Sequence, residues 1–449
     1  MKGCWTTRPH RLHRPHRHRR PSGSLPPAKD SLWRDRRFVR FWCGQSVSQF
    51  GDRISELALP LMAVGALHAS ANQVALLTAL VWTPNLLGLF LGAWVDHRPA
   101  KRRLMLLADL IRAAVLLSLP IAYALDTVTL GQLYTVAALT GTAAVVFNTA
   151  YSSFFAHLVP PESYVEANSK LSASRSVSFI AGPAIGGGLV QALTAPVAVI
   201  ADALSFVASA ILVGRTRVDE PAPDPVPTVP AGPSLLRRAR EGLTFVIHEP
   251  VMRAGLLCAT TVNFFTFLAG TGLLVLFADR VLHLSPGAIG LAFGVGATGG
   301  LLGAVASPAI ARRIGIGRSI VAGAVLFPAP YALIAAATGP TWARPGFLAA
   351  AEFLSAFGVM LFDVNLNSLQ TSVVPDGLRS RVAGAYSTVN YGVRPLGALI
   401  GGELATLAGL RVTLIVAAVG GAMSALWLLA SPIPGIRELG RAPVESRQE

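Results

Sequence analysis

Twelve long apolar stretches follow one another along this chain, and they limit what it can fold into. A helix of about 20 apolar residues crosses the bilayer core, which is roughly 30 Å thick. Only 14% of the 449 residues are charged, whereas soluble domains average about 25%. We therefore expect an all-α polytopic membrane protein, and the composition argues against a soluble enzyme. The stretches occupy residues 41–67, 73–95, 104–125, 130–156, 170–192, 196–214, 252–281, 287–311, 318–338, 346–370, 382–407 and 410–432.

Polar segments lie before, between and after two groups of six stretches. The first segment carries 12 Lys and Arg residues and lacks the apolar core of a signal peptide. The middle one is Pro-rich from Pro221 to Pro233 and then cationic, as expected of a linker. The predicted division is a basic disordered tail (1–40), a first six-helix half (41–214), a linker (215–250), a second half (251–432) and a C-terminal tail (433–449).

Lysine and arginine are concentrated in alternate loops. They follow stretches two, eight and ten, whereas the turns after stretches one, three and five contain none. Cytoplasmic loops carry such an excess of cations. We therefore expect both termini and the linker to be cytoplasmic and the protein to lie in the plasma membrane. Membrane topology also accounts for the net charge of +15 without a nucleic-acid partner.

An internal repeat relates the two groups of stretches. At an offset of 215 residues, small residues of stretch five match small residues of stretch eleven, although a chance match in glycine-rich helices is an alternative. Two similar six-helix halves that face each other are one route to a site that opens alternately to either side of the membrane. The repeat therefore indicates a transporter. The matched residues are Gly182, Ile185, Gly186 and Gly187 with Gly397, Ile400, Gly401 and Gly402.

The loop after stretch two resembles the signature of the major facilitator superfamily. That pattern is a Gly, three residues, an Asp, and then cations before a Leu, and here it runs from Gly92 to Leu104. The loop departs from the pattern at His97, Pro99 and Ala100. The resemblance implies the major facilitator fold and a conformational latch at the cytoplasmic rim, whereas the plainer interpretation is an orienting charge pair at a helix end. The predicted latch residues are Gly92, Asp96, Arg98, Lys101 and Arg102.

Stretch five contains a sequence similar to the antiporter motif of drug-exporting members of that superfamily. It consists of Gly182, Pro183, Gly186 and Gly187. Proline bends a helix and glycine permits close packing, so the motif predicts a hinge, with plain helix packing as the alternative. The arginine that many exporters carry in stretch four is absent, because residues 130–158 contain no Lys or Arg.

A third resemblance concerns the first, third and sixth stretches. The segment 44–52, with Glu56, Asp109, Arg112 and Asp202, looks like the twelve-span exporter group that includes macrolide, tetracycline-like and enterobactin efflux proteins. This resemblance covers residues from about 37 to 432. It implies a monomeric, proton-coupled antiporter.

Several acidic residues fall inside the apolar stretches. A charge at mid-bilayer costs roughly 2.5–3.5 kcal/mol on insertion scales, so it needs a partner, a hydrated cavity or a function. Asp52 and Glu56 are four residues apart and share a helical face. They are the first candidates for proton coupling or substrate recognition, unless Arg53 or another arginine neutralises them as structural acids. The secondary candidates are Asp202, Glu352, Asp363 and Glu403.

No phosphate-binding Gly-x-x-x-x-Gly-Lys-Ser/Thr loop occurs, so an ion gradient is the expected energy source. The cysteines Cys4, Cys43 and Cys258 have no metal-ligand spacing, and we expect neither a metal nor a cofactor. The predicted function is proton-coupled efflux of lipophilic or amphipathic small molecules by alternating access. The alternatives are an exporter of a siderophore or other metabolite, a non-transporting sensor or scaffold, and a polytopic membrane enzyme.

Overall fold

A computed structural model of the chain describes residues 32–438 apart from 97, 99, 217 and 219–234. Every regular element in this part of the chain is helical, as predicted. Most of the predicted tails, 1–31 and 439–449, and most of the Pro-rich run lie outside the described residues. The α-helices are α1 (Arg36–Gly65), α2 (Ala71–Trp82), α3 (Gly88–Asp96), α4 (Lys101–Ala124), α5 (Leu130–Leu158), α6 (Tyr164–Leu193), α7 (Ala195–Gly214), α8 (Leu235–His248), α9 (Pro250–Ala269), α10 (Thr271–Arg280), α11 (Pro286–Ile314), α12 (Ile316–Leu326), α13 (Tyr331–Ala335), α14 (Arg344–Val373), α15 (Arg379–Ala408), α16 (Leu410–Met423) and α17 (Ala425–Leu429).

Nine helical segments within the described residues are long and apolar enough to cross a membrane, which confirms the polytopic fold class. Three other regions coincide with predicted spans. Helices α1 and α15 have 30 residues each but contain several charges, and a 3-10 turn with Pro84 separates α2 from α3. Twelve spans are therefore compatible with the helices, and the count stays a prediction. The nine segments are Lys101–Ala124, Leu130–Leu158, Pro161–Leu193, Ala195–Gly214, Pro250–Arg280, Pro286–Ile314, Ile316–Ala335, Arg344–Val373 and Leu410–Leu429.

Two helices begin in segments that the sequence had indicated as tail and linker. Helix α1 begins at Arg36, because the Asp35 side chain accepts a hydrogen bond from the Arg37 backbone N–H, which is a helix cap. In the linker, α8 buries Val246 against α9 and α15. Its Glu241 accepts a hydrogen bond from Arg381 of α15 at 2.8 Å. The end of the linker is therefore an amphipathic helix attached to the second half.

Close helix crossings recur at the offset of the sequence repeat. Helix α6 crosses α11 where Gly187 faces Gly290, and α15 crosses α2 where Gly402 faces Ala75. Gly402 lies 215 positions after Gly187, and Ala75 lies 215 positions before Gly290. A side chain larger than hydrogen or methyl would keep the backbones apart at these points. The recurrence supports the proposal that residues 41–214 and 251–432 form two similar halves.

The two halves meet through hydrogen bonds at one end of the molecule, which contains the turns 66–70 and 281–285 and which we call the sealed end. Asn72 donates to the Glu403 carboxylate at 2.9 Å. The Gly287 N–H donates to the Gln191 side chain at 3.0 Å, and Arg280 donates to the Ala69 carbonyl at 2.8 Å. The opposite end, with the basic loops around 98–103 and 312–318, is called the basic end. The sealed end closes the space between the halves on one side.

We predict that Gly290→Val opens the sealed end. A Cβ atom at this position would lie 2.8 Å from the Gly187 Cα atom, and such overpacking costs about 1–3 kcal/mol. The fraction of molecules with α6 and α11 apart should rise about 5- to 150-fold. The measurement is alkylation of Thr271→Cys, a cavity-lining position, by a membrane-impermeant maleimide added at the sealed side. The background has its native cysteines replaced by alanine.

Gly188→Val is the matched control for this experiment. A Cβ atom added to Gly188 meets nothing within 4 Å, so this variant should be alkylated at the wild-type rate. Equal rates for Gly290→Val and Gly188→Val would contradict the role given to the crossing.

Candidate functional site

Two cavities lie along the helices. The first, cavity N, has a volume of roughly 600 Å³ and is lined mainly by α1, α2, α4, α5, α6 and α7. The second, cavity C, has a volume of roughly 360 Å³ and is lined mainly by α9, α14 and α15. Both volumes fall in the range of about 300–1,000 Å³ that is usual for small-molecule sites. The charged residues that line cavity N are Asp52, Arg53, Glu56, Arg112, Arg175 and Asp202.

The two acids of α1 are paired with arginines. Arg112 of α4 donates to Asp52, and its guanidinium carbon lies 3.9 Å from the Phe206 ring centroid. Arg53 pairs with Glu56 within α1, and the Glu56 side chain is 47% exposed. Glu56 therefore fits the alternative of an acid neutralised by Arg53. Asp52 instead joins a more buried group of charges.

Asp202 of α7 lies directly against α1. It is 1% exposed and accepts a hydrogen bond from Ser205 at 3.2 Å. A Cβ atom on Gly51 would overlap the Asp202 carboxylate, so the glycine is what allows α7 to approach α1 this closely. Asp202 and Asp52 interact electrostatically across this contact. The third resemblance had placed these residues together in one motif, and the structure places them side by side.

Asp109 of α4 is a site residue that was absent from our predicted candidates. It is 0% exposed, and neither carboxylate oxygen has a hydrogen-bond partner among the described residues. It interacts electrostatically with Arg112 and Asp52. The available signal was its position three residues before Arg112, on the same helical face.

The single guanidinium of Arg112 thus donates to Asp52 and interacts electrostatically with Asp109 and Asp202; we call these four residues the acid cluster. Charges in a low-dielectric interior require close compensation. One guanidinium balances only one carboxylate, so the cluster has capacity for protons or for a cationic group from cavity N. This capacity is the chemical property that distinguishes the site.

In cavity C, Arg394 of α15 is held among aromatic rings. Its guanidinium carbon lies 4.2 Å from the ring centroid of Tyr391, 4.3 Å from that of Trp82 and 4.9 Å from that of Phe267. Asp363 of α14 interacts with Arg394 electrostatically. Trp82 belongs to α2 and also lines cavity N. The indole thus lines cavity N and contacts an arginine that lines cavity C.

The remaining two predicted acids lie outside the linings of both cavities. Glu352 packs on Gly296 of α11, and its Oε1 atom is buried without a hydrogen-bond partner in the described part of the chain. Glu403 accepts its hydrogen bond from Asn72 at the sealed end. The structure thus brings together Asp52, Glu56 and Asp202 in cavity N and leaves Asp363 alone in cavity C.

The predicted latch lies at the basic end. Lys101 donates to the Val95 carbonyl at 2.5 Å, and Arg102 donates to the Gly214 carbonyl at 3.3 Å. Arg98 lies over the Trp94 ring at 5.0 Å, and a Cβ atom on Gly92 would come no closer than 4.0 Å to Thr149. The Asp96 side chain lies outside the described residues. The latch therefore stays a prediction.

The predicted hinge on α6 contacts both halves. Gly182 packs on the Arg53 side chain and Gly186 on the Ile54 backbone. Gly187 and the carbonyl of Pro183 face Gly290 of α11. The motif thus combines close packing within the first half with the crossing to the second half.

Sequence comparisons place these features among membrane transporters. The family model described as the Major Facilitator Superfamily matches residues 41–398. The chain is 26% identical over 405 residues to the multidrug efflux pump Tap of Mycobacterium tuberculosis, and the match covers 88% of this chain and 92% of Tap. It is 28% identical over 383 residues to YfiS, an MFS-type transporter of Bacillus subtilis, with 83% and 87% of the two chains covered.

Solved structures share the fold. A bacterial homologue of the iron transporter ferroportin, in its inward-facing state, has a TM-score of 0.68 at 17% identity, and the match covers 89% of this chain and 99% of that one. The nucleoside transporter NupG has a TM-score of 0.67 at 12% identity, with 88% and 99% covered. These identities are low, so the similarity concerns the fold alone.

We predict that Arg112→Met lowers the free energy of unfolding by about 3–5 kcal/mol, because it leaves buried carboxyl groups without their cation. Adding Asp52→Asn should restore part of the loss. Arg53→Met is the matched control, since its partner Glu56 is 47% exposed and exposed pairs contribute about 0–1 kcal/mol. The measurement is denaturant unfolding in detergent micelles. Equal losses for the two single variants would refute the acid cluster as the more important charge network.

Proposed function

This chain belongs to the major facilitator superfamily, and we propose that it is a proton-coupled exporter of lipophilic or amphipathic small molecules. It is a multi-pass membrane transporter rather than an enzyme. The name of its relative Tap, a multidrug efflux pump, supports drugs as the substrate class. The observation that carries the proposal is the acid cluster, in which three carboxyl groups share one guanidinium and of which Asp52, Asp202 and Arg112 line cavity N.

Charge balance explains how this cluster couples proton binding to substrate binding. When Asp52 carries a proton, Arg112 loses the charge of its partner and its attraction shifts toward Asp109 and Asp202. When the proton leaves, a cationic substrate group in cavity N experiences the negative charge instead. Proton and substrate then compete for one group of carboxyls. If this site opens alternately to the two sides of the membrane, such competition is sufficient to exchange protons for substrate.

The sealed end supports the alternating-access part of the proposal. We place the basic end in the cytoplasm because cations are enriched there, so both termini are cytoplasmic and the described state opens inward. We also propose that the protein lies in the plasma membrane and works as a monomer. Release of substrate outward then requires separation of α6 from α11 and of α15 from α2 at their glycine crossings.

The test uses inside-out membrane vesicles with an imposed pH gradient and ethidium, a lipophilic cationic dye. Wild-type protein should accumulate the dye. Asp52→Asn and Asp202→Asn should each reduce gradient-driven uptake about 5- to 150-fold, the range of a coupling free energy of about 1–3 kcal/mol. Exchange of labelled for unlabelled dye without a gradient should persist, because it needs no net proton movement.

Asp126→Asn is the matched control for this experiment. Asp126 lies in the exposed turn between α4 and α5, at the sealed end and away from both cavities, and should transport dye as the wild type does. Wild-type uptake with no loss in Asp52→Asn or Asp202→Asn would remove coupling from the acid cluster. No gradient-driven uptake by the wild type would contradict the proposed efflux of lipophilic cations.

A further inference from the structure

The lining of cavity C differs in kind from that of cavity N. Cavity N is lined by six charged side chains, whereas cavity C is lined by three, those of Asp363, Arg379 and Arg394, and by a concentration of uncharged hydrogen-bonding groups. Four carboxamides lie here together with hydroxyl groups from α14 and α15. The uncharged polar residues that matter for the argument are Asn263, Asn367, Gln370, Ser387, Asn390 and Tyr391.

One of these amides, that of Asn263, forms hydrogen bonds within the protein. Asn263 donates to the Ala259 carbonyl at 2.9 Å and to the Asn390 side chain at 3.1 Å. Its own oxygen accepts a hydrogen bond from Arg394 at 2.9 Å. Asn263 is therefore largely satisfied and fixes the orientation of Arg394.

Other polar groups face the cavity unsatisfied. The Gln370 Nε2 atom is buried and has no hydrogen-bond partner among the described residues. The Asn367 side chain and the hydroxyl of Ser387 likewise make no hydrogen bond to the described part of the chain, nor does the amide nitrogen of Asn390. A buried polar group such as the Gln370 amide nearly always has a partner, and Asn367 and Ser387 are exposed where they line the cavity. These groups are therefore available to hydrogen-bond a ligand or water.

The charges of cavity C leave no strong preference for an ion. Asp363 makes no hydrogen bond or ion pair within the described residues, and it interacts electrostatically with Arg394. Aromatic rings lie within 4.9 Å of the Arg394 guanidinium, and its Nε–H is taken by Asn263. Of the three charged side chains in the lining, Arg379 is exposed and donates to the Thr371 carbonyl at 3.4 Å, whereas Asp363 and Arg394 compensate each other. A neutral ligand with many hydrogen-bonding atoms fits this balance better than a cation or an anion.

We propose that cavity C binds an uncharged, polyhydroxylated group of the substrate, such as a sugar or another polyol. Each hydroxyl both donates and accepts, so neighbouring hydroxyls can satisfy the amides of Asn367 and Gln370 and the carboxylate of Asp363 together. The volume of roughly 360 Å³ is sufficient for a small ligand of this kind. This inference rests on the proposed function, because it identifies cavity C as part of the binding site for the exported molecule.

The experiment compares two neutral coumarins that differ by one sugar. The full-length protein in lipid nanodiscs is titrated with 4-methylumbelliferyl glucoside and with 7-methoxy-4-methylcoumarin, and quenching of tryptophan fluorescence gives each Kd. The wild type should bind the glucoside at least about tenfold more tightly, which corresponds to one or two net hydrogen bonds. Asn367→Leu should bring the ratio of the two Kd values close to one.

Ser368→Ala is the matched control, because Ser368 lies beside Asn367 on α14 but outside the cavity lining and should keep the wild-type ratio. Ser387→Ala is a milder second variant in case Asn367→Leu does not fold, and it should lower the ratio about threefold. A wild-type ratio near one overturns the inference. A ratio that both cavity variants retain also overturns it, since the sugar is then recognised elsewhere.

Failure of this inference is distinguishable from failure of the proposed function. Gradient-driven ethidium uptake by the wild type without a preference for the glucoside contradicts only the inference. A glucoside preference without ethidium uptake contradicts only the proposed efflux of lipophilic cations.

Discussion

The first half of the molecule depends on the pairing of one guanidinium, that of Arg112, with buried carboxyl groups. Helices α1, α4 and α7 each supply a member of the acid cluster, and an unpaired ion in this interior costs several kcal/mol. The rotation of each helix is therefore limited to orientations that keep Asp52, Asp109 and Asp202 near Arg112. Gly51 completes the arrangement because it lets α7 approach α1. In this half, the helix packing that buries the carboxyl groups is also the packing that brings them to Arg112.

The second half has related packing without this charge group. At the repeat offset of 215 residues, Asp52 and Arg112 correspond to Phe267 and Phe327, and Asp202 corresponds to the buried Ala417. Both phenylalanines lie at or next to cavity C, where one contacts Arg394. Related backbones thus enclose a cavity rich in charged side chains in one half and a cavity with mainly uncharged hydrogen-bonding groups in the other. In the proposed mechanism, the acid cluster couples protons to a cationic group of the substrate, whereas cavity C recognises a different, uncharged group of the same molecule.

The sequence was sufficient for the fold class, because long apolar stretches and the latch and hinge motifs are local signals. Helix ends were predicted less well. The Asp35 cap is a local signal that we did not use, whereas the amphipathic α8 depends on contacts with other helices. The candidate site was predicted only in part. Which face of a helix meets its neighbours is not revealed by one sequence, so Asp109, although named in the third resemblance, was not among the candidate acids. For the same reason, Glu403 was grouped with residues from which it is remote.

The two glycine crossings have a mechanical consequence. At Gly187 with Gly290, and at Gly402 with Ala75, backbone surfaces meet with almost no side chain between them. No side chain has to leave one rotamer for another when such surfaces part, so little conformational entropy or strain resists the separation. The barrier to separating the helices then arises mainly from the few polar contacts at the sealed end and from the hydration of the narrow backbone surfaces that become exposed. A helix crossing of this kind favours rapid opening and closing of the sealed end over a long-lived closed state.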